Sequence, residues 1–355
     1  MQAKRLNMIG NKSKVCRQCV LPGTFPGIRF NSEGVCNHCE QFNQGAREHE
    51  GAKARYRQKF EQLLERIRQG AGQRPYDAVM AYSGGKDSTY TLMMLVQHYR
   101  LRVLALTFDN GFMSERAKRN IHAVAEHLDV GLETFRPAPK KIRHAFRESM
   151  DRCPYAMKTL ERASALCNTC MNLVKSYVIK TAIEKDIPLL VYGWSPGQAP
   201  VQSSVFRMNP AVLRQAQKQL RDTLAPIMFQ GLEPFILAER HYRLLDEAME
   251  RSGGDFLYAV HPLAFLDYDE ENIRRKIAAV GWSAPLDTDA NSTNCLVNGY
   301  ANSIHQARYG FHPYAFEIAG LVRYGHMTRE EGLAKLNKPV PEEAAQDIRK
   351  KLEIG

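Results

Sequence analysis

Asp77-Ala78-Val79-Met80-Ala81-Tyr82-Ser83-Gly84-Gly85-Lys86-Asp87-Ser88-Thr89 is the stretch on which the reading of the fold turns. Asp77 to Tyr82 is an apolar run of strand length, and Thr89 to His98 reads as a helix. The loop between them therefore sits at a strand's carboxyl end and a helix's amino end, where an α/β sheet binds anions. Gly84 and Gly85 permit a tight turn that aims backbone N–H groups at phosphate oxygens. Ser83, Ser88 and Thr89 add hydroxyls, Lys86 a point charge, and Asp87 a carboxylate suited to magnesium. The Walker A pattern is absent, which argues against an ordinary P-loop NTPase.

The same alternation continues outward. Leu101–Phe108 reads as a second strand, Ser114–Leu128 as a helix, 133–136 as a short third strand, Asn172–Glu184 as a helix and Ile187–Tyr192 as a buried fourth strand. This pattern predicts an α/β fold with a doubly wound, mostly parallel sheet. Asp109, at the end of the second strand, and Gly193, at the end of the fourth, fall on the same sheet edge as the phosphate loop. Asp109 is a candidate for ribose or metal, and the small Gly193 for admitting adenosine. Before this unit, Gly51 to Gln69 has helical spacing, with Gly70 and Gly72 as its stop. After residue 195, Pro210–Leu245 looks helical with little strand character, and Thr328-x-x-Glu331 is a capping box. The expected division is 1–45 as a metal-held module, 46–74 as a linker helix, 75–200 as the ATP-binding domain, and 201–355 as a mainly helical region for substrate or partner.

The chain has 355 residues, 44% of them hydrophobic, and a net charge of +11. It shows no low-complexity tract, no signal-peptide core in Met1–Gly10 and no apolar run of membrane length, so a cytoplasmic protein is expected. The first 75 residues hold 14 Lys/Arg against 6 Asp/Glu. Such a basic end suits RNA or a phosphorylated small molecule, and equally a solvated helix face.

Six of the eight cysteines form three C-x-x-C pairs. Cys16, Cys19, Cys36 and Cys39 have the two-knuckle spacing of a zinc ribbon, in which the ion holds together a module too poor in apolar residues to fold alone. Cys167 and Cys170, with Cys295 far downstream, could hold a 4Fe-4S cluster with one open iron. The pair could instead form a catalytic disulfide or persulfide, or bind a second zinc, and Cys295 could be an inert buried thiol.

Ser83 to Ser88 match the S-G-G-x-D-S signature of the PP-loop (adenine nucleotide alpha hydrolase) superfamily. The resemblance implies an AMP-forming ATP pyrophosphatase that adenylates a carbonyl or amide oxygen, after which a nitrogen or sulfur nucleophile displaces AMP. The Cys16–Cys39 string, C-R-Q-C-V-L-P-G-T-F-P-G-I-R-F-N-S-E-G-V-C-N-H-C, and the R-Y-G-H-M-T-R-E-E run at 323–331 resemble the N-acetyl sugar amidotransferase branch. That branch implies an acetamido sugar as acceptor, linked to a nucleotide, and ammonia from a partner protein. Several PP-loop enzymes that thiolate tRNA have a cysteine pair and one later cysteine, which implies instead a sulfur donor and an RNA or small-molecule acceptor. A nucleotide-binding regulatory protein is the third reading. Arg308, His305 and His312 are candidates for substrate contact.

Overall fold

A computed structural model describes residues 14–70, 74–225 and 232–354. Lys4, Arg5 and Lys12 of the basic stretch, Gly72, and residues 226–231 of the expected helical stretch lie outside these residues. Thirteen α-helices are described: α1 (Asn37–Gln69), α2 (Lys86–Met93), α3 (Glu115–His127), α4 (Pro139–Arg152), α5 (Met157–Leu160), α6 (Ala165–Glu184), α7 (Pro210–Leu224), α8 (Glu239–Arg251), α9 (Glu270–Ala278), α10 (Val297–Tyr309), α11 (Ala315–Arg323), α12 (Arg329–Asn337) and α13 (Glu342–Leu352). The strands are β1 (Ala78–Ala81), β2 (Val103–Phe108), β3 (Gly131–Phe135), β4 (Leu189–Tyr192), β5 (Val205–Arg207) and β6 (Tyr258–Val260).

The sheet order is β3-β2-β1-β4-β6-β5, parallel except for the β5–β6 pair. The chain winds from β1 outward through β2 and β3, then returns to place β4 on the other side of β1. The crevice at this switch point opens between the carboxyl ends of β1 and β4, where doubly wound sheets bind ligands. In register, Ala81 pairs with Tyr192, so Ser83 and Gly193 begin adjacent loops.

Residues in β1, β2 and β4 are almost all buried, as strands covered on both faces must be. Ala78, Met80, Val103, Leu189 and Val191 face α1, α2 and α3, whereas Val79, Leu104, Leu190 and Ala259 face α6 and α8. A third cluster joins Phe108 and Phe135 to α4, α10 and α13.

Several expected bounds shift. The first long helix starts at Asn37, with Cys36 as its N-cap, and runs through Gly45 and Gly51. It thus crosses the expected 45/46 boundary. The helix expected at 172 starts at Ala165, capped by Ser164, whose side chain accepts from the Cys167 N–H. The sheet also runs past residue 200, because β5 and β6 extend it. These strands have three residues each, too few for a period of two to register in the sequence. The Thr328–Glu331 capping box is present as expected.

His305 and His312 are buried, and both ring nitrogens of His305 lack a hydrogen-bond partner among the described residues. Arg308 donates to the Met150 carbonyl. His305 and Arg308 therefore pack α10 against its neighbours, His312 accepts from the Tyr314 N–H ahead of α11, and none of the three lines the cavities described below. Burial pushes His305 and His312 down to about 4. A histidine held below its unfolded value stabilises the fold above pH ~6.5 and loses that contribution as pH falls toward the folded value. Replacing His305 by Phe is expected to flatten the fall of the melting temperature between pH 6.5 and 4, read by thermal melts across that range. An unchanged slope would show that His305 takes no part in acid unfolding.

Candidate active site at the phosphate loop and the cysteine cavity

The loop after β1 has the expected turn at one glycine rather than two. Gly84 has φ +71°, and a Cβ there would lie 2.6 Å from Ile121 Cγ1. Gly85 has extended φ and caps α2. The Ser83 and Ser88 hydroxyls meet at 3.0 Å, and both residues line a cavity of about 240 Å³. Thr89 is fully buried with its hydroxyl 3.3 Å from the Tyr82 hydroxyl, so it faces the core rather than the expected phosphates. Trp282 Nε1 donates to the Gly84 carbonyl at 3.0 Å and holds the turn from behind.

Lys86 and Asp87 turn the other way. The Lys86 ammonium donates to Tyr268 Oη at 2.6 Å and to Asp87 Oδ1 at 2.8 Å, and lies 3.6 Å from Glu270. Tyr268 also donates to Asp87 Oδ1, at 3.0 Å. Burial opposes ionisation of Glu270, yet Lys86, Lys335 and Arg274 hold its carboxyl down at about 2. The Lys86 charge is thus already matched, and the expected free cation over the phosphates is absent in this arrangement.

Gly193 lines the cavity, and its smallness serves packing: a Cβ there would lie 2.6 Å from Ser88 Cα. Asp109 does not reach the cavity. Its carboxylate accepts from the Gly111 N–H at 2.9 Å and pairs with Arg136 at 3.4 Å, facing a separate surface hollow. The next residue, Asn110, takes its place, because successive side chains leaving a strand point to opposite sides.

Cys167, Cys170 and Cys295 converge on the same cavity. The first two sit three apart on the opening turns of α6 and so share a face. Cys295 arrives on a strand-like segment. It bridges Met113, the Ser114 N–H donates to the Asn294 carbonyl, and the Leu296 N–H donates to the Phe112 carbonyl. Asn110 Nδ2 lies 3.7 Å from both the Cys170 and Cys295 sulfurs, and Asn298 Nδ2 lies 3.4 Å from Cys167. Desolvation pushes the Cys167 thiol up to about 11 and raises those of Cys170 and Cys295 as well. Nothing in the sequence distinguished Asn110, Asn298 or Thr293, whose hydroxyl accepts from the Lys86 N–H at 3.0 Å. Each depends on a contact across many residues.

The four N-terminal cysteines are fully buried, with all their sulfurs within 4.8 Å of one another. Cys16–Cys39 and Cys19–Cys36 separations are 3.9 and 3.8 Å. A tetrahedron with metal–sulfur bonds of about 2.3 Å has edges of about 3.8 Å, so the four are arranged to hold one metal ion. His38 is no fifth ligand; its ring packs edge-on to Phe25 and Phe316. The knuckles are not a separate module. Phe25 packs on Phe311 and Phe316, and Arg329 Nε donates to the carbonyls of Cys16 and Cys19 at 3.0 and 3.1 Å.

The chain matches no known protein-family profile. An uncharacterized protein of Methanocaldococcus jannaschii is 25% identical to it over 296 residues, which cover 83% of this chain and 84% of that one. Among solved structures, the U34-tRNA thiolase NcsA from Methanococcus maripaludis, with its 4Fe-4S cluster, aligns over 96% of this chain and 89% of its own. Its identity is 12% and its TM-score 0.34, a distance at which activity is not carried across. Neither comparison supports the N-acetyl sugar amidotransferase branch that the Cys16–Cys39 string resembles. Among the described residues no helix is long and apolar enough to cross a membrane.

Removing the ion from the four-cysteine site, by a strong chelator or by Cys36→Ser, is expected to lower the melting temperature by about 10 °C or more. Metal analysis alongside the melt checks this. An unchanged melt after loss of the ion would show that the apolar contacts of Phe25 hold the knuckles unaided.

Proposed function

We propose that the chain is an ATP-consuming, AMP-forming enzyme of the PP-loop kind that activates an acceptor oxygen and replaces it with sulfur. The observation that carries this reading is the convergence of Cys167, Cys170 and Cys295 on the cavity that Ser83 and Ser88 also line. In the first half-reaction the acceptor oxygen attacks the α-phosphorus of ATP and pyrophosphate leaves. In the second, a sulfur nucleophile attacks the activated carbon and AMP leaves with the former oxygen. Ser83 and Ser88 hydrogen-bond phosphate oxygens at the amino end of α2, and Asp87, which faces Lys86 and Tyr268 rather than the cavity, becomes the carboxylate for magnesium once it leaves those partners. Gly193 lets β4 close against this loop.

The three cysteines fit a 4Fe-4S cluster better than a single ion. Their sulfurs do not all lie within 4.8 Å of one another, as they must around one tetrahedral metal. Asn110 nonetheless keeps Cys170 and Cys295 within twice 3.7 Å of each other. A cluster on three thiolates leaves one iron open to an external ligand, and that is the chemistry it would supply. Asn110 and Asn298 orient the sulfurs, and the apolar walls exclude water. Desolvation that raises the thiols argues against free thiolates acting alone as a disulfide or persulfide pair. Zinc is the ion for the four-cysteine site. The acceptor is RNA or a small molecule, and a sulfur-delivering partner supplies the nucleophile.

Transfer of nitrogen to a nucleotide-linked sugar shares the first half-reaction and is favoured by the Cys16–Cys39 string, with ammonia delivered by a partner. It leaves the second cysteine set without a task. Protein purified without oxygen is expected to be brown, with about four irons and one zinc per chain, and Cys295→Ser to lose most of the iron while keeping the zinc. Colourless wild-type protein containing zinc alone would reject sulfur insertion in favour of nitrogen transfer. Separately, Asp87→Ala is expected to slow pyrophosphate release from ATP by roughly a hundredfold or more; undiminished release would refute the role given to the loop.

A further inference from the structure

A second chamber of about 300 Å³ adjoins the cysteine cavity, and Met171, Lys175 and Trp194 line both. Its charge is lopsided. Three cations line it, Lys158, Arg162 and Lys175, against one acid, Glu317. Ser195 Oγ donates to Glu317 at 2.6 Å, and burial pushes that carboxyl up to about 7, so it carries only part of a negative charge at neutral pH. Glu161 is the other nearby acid, and it pairs with Lys158 at the mouth, at 3.1 Å.

Lys175 is the unusual member. Its ammonium lies 4.7 Å from the Trp194 ring and makes no ion pair among the described residues, while burial lowers its pKa. An uncompensated cation held in a desolvated wall is costly, and an anionic ligand removes the cost. Arg162 is also pre-set: its guanidinium lies 4.4 Å over Phe316 and donates to the Gln198 carbonyl at 3.2 Å. That leaves other N–H groups of a rigid fork for a phosphate.

We propose that this chamber receives the acceptor, and that the acceptor presents a nucleoside phosphate, held by Lys158, Arg162 and Lys175 while its reacting carbon points past Met171 and Trp194 toward the cysteines. The proposal rests on the neighbouring cavity taking ATP. A nucleoside phosphate is common to RNA and to a nucleotide-linked small molecule, so both sources reach the site by one chemistry.

The test is calorimetric titration of the full chain, saturated with α,β-methylene-ATP, with uridine, uridine 5′-monophosphate, inorganic phosphate and unfractionated tRNA. Uridine monophosphate is expected to bind beside the ATP analogue and uridine to bind at least tenfold more weakly. Arg162→Ala is expected to weaken the monophosphate and inorganic phosphate at least tenfold. Thr159→Glu, an exposed change at the chamber mouth that spares the core, is expected to do the same by repulsion, which keeps the test open should Arg162→Ala misfold. A monophosphate that the ATP analogue displaces, or whose Kd stays within twofold in Thr159→Glu, overturns the proposal. Binding of tRNA more than tenfold tighter than the monophosphate, with the same sensitivity to Thr159→Glu, assigns the nucleotide to RNA; equal or weaker binding assigns it to a small molecule. Iron content and pyrophosphate release are read on the same preparation. A chain that binds the monophosphate but carries no iron keeps the chamber and loses sulfur insertion, and the reverse result does the opposite.

Discussion

Three hydrogen bonds fasten residues 293–296 across the mouth of the sheet. Thr293 accepts from the Lys86 N–H on the phosphate loop, the Asn294 carbonyl accepts from Ser114, and the Leu296 N–H donates to Phe112. This strap carries no helix and no buried apolar run of its own, and it pairs with segments about two hundred residues earlier. Without it the phosphate loop would lose one wall, and Cys295 would have no reason to lie near Cys167 and Cys170. The two halves of the cavity are one unit because a single extended segment touches both.

Much of this was legible in the sequence where the signal is local. The strand, Gly-Gly turn and helix from 77 to 98 fix the loop at a strand's carboxyl end, since an apolar run of that length next to paired glycines has few other solutions. The four-thiolate spacing of Cys16 to Cys39 likewise points to one ion, because two knuckles present four sulfurs at tetrahedral range. Side-chain direction was less legible. Asp109 and Asn110 differ by one position on a strand end, and that single step decides which of them meets the sulfurs. Thr89 differs for a similar reason: one turn into α2, its hydroxyl faces Tyr82 rather than the phosphate side.

Helix starts were misjudged by composition. Gly45 and Gly51 lower helix propensity by up to about 1 kcal/mol each relative to alanine, so about the first four turns of α1, residues 37–50, read as loop. The contacts of Phe60, Leu63 and Leu64 with the sheet's core, and the pinning of Cys36 and Cys39 at the helix's start, outweigh that cost. The result joins the metal knuckles to the sheet through one continuous helix. The knuckles then also bear on Phe311, Phe316 and Arg329, so an ion held by the four cysteines would brace the C-terminal helices as well as the knuckles themselves. Gly197 shows how tight that side is: a Cβ on it would lie 2.2 Å from the Glu317 carbonyl oxygen. The loop after β4 can therefore reach α11 only because this position lacks a side chain.

Charge around the phosphate loop sets one more requirement. Lys86 is held by Asp87, Tyr268 and Glu270, and Glu270 is held in turn by Arg274 and Lys335. The lysine that the hexapeptide seemed to offer the nucleotide is thus spent within a closed network. What remains on the phosphate-loop side is the amino end of α2, worth about half an elementary charge, and two serine hydroxyls, with Lys175 elsewhere on the cavity lining. Those groups orient phosphate oxygens but cannot balance the several negative charges of ATP or the charge that grows on departing pyrophosphate. In the proposed reaction a divalent cation would supply the missing countercharge, and Asp87, at the first turn of α2, would meet it on leaving Lys86 and Tyr268. Its arrival would compete with Lys86 and Tyr268 for the same carboxylate, so nucleotide binding and release of the Lys86 network are coupled through that one side chain.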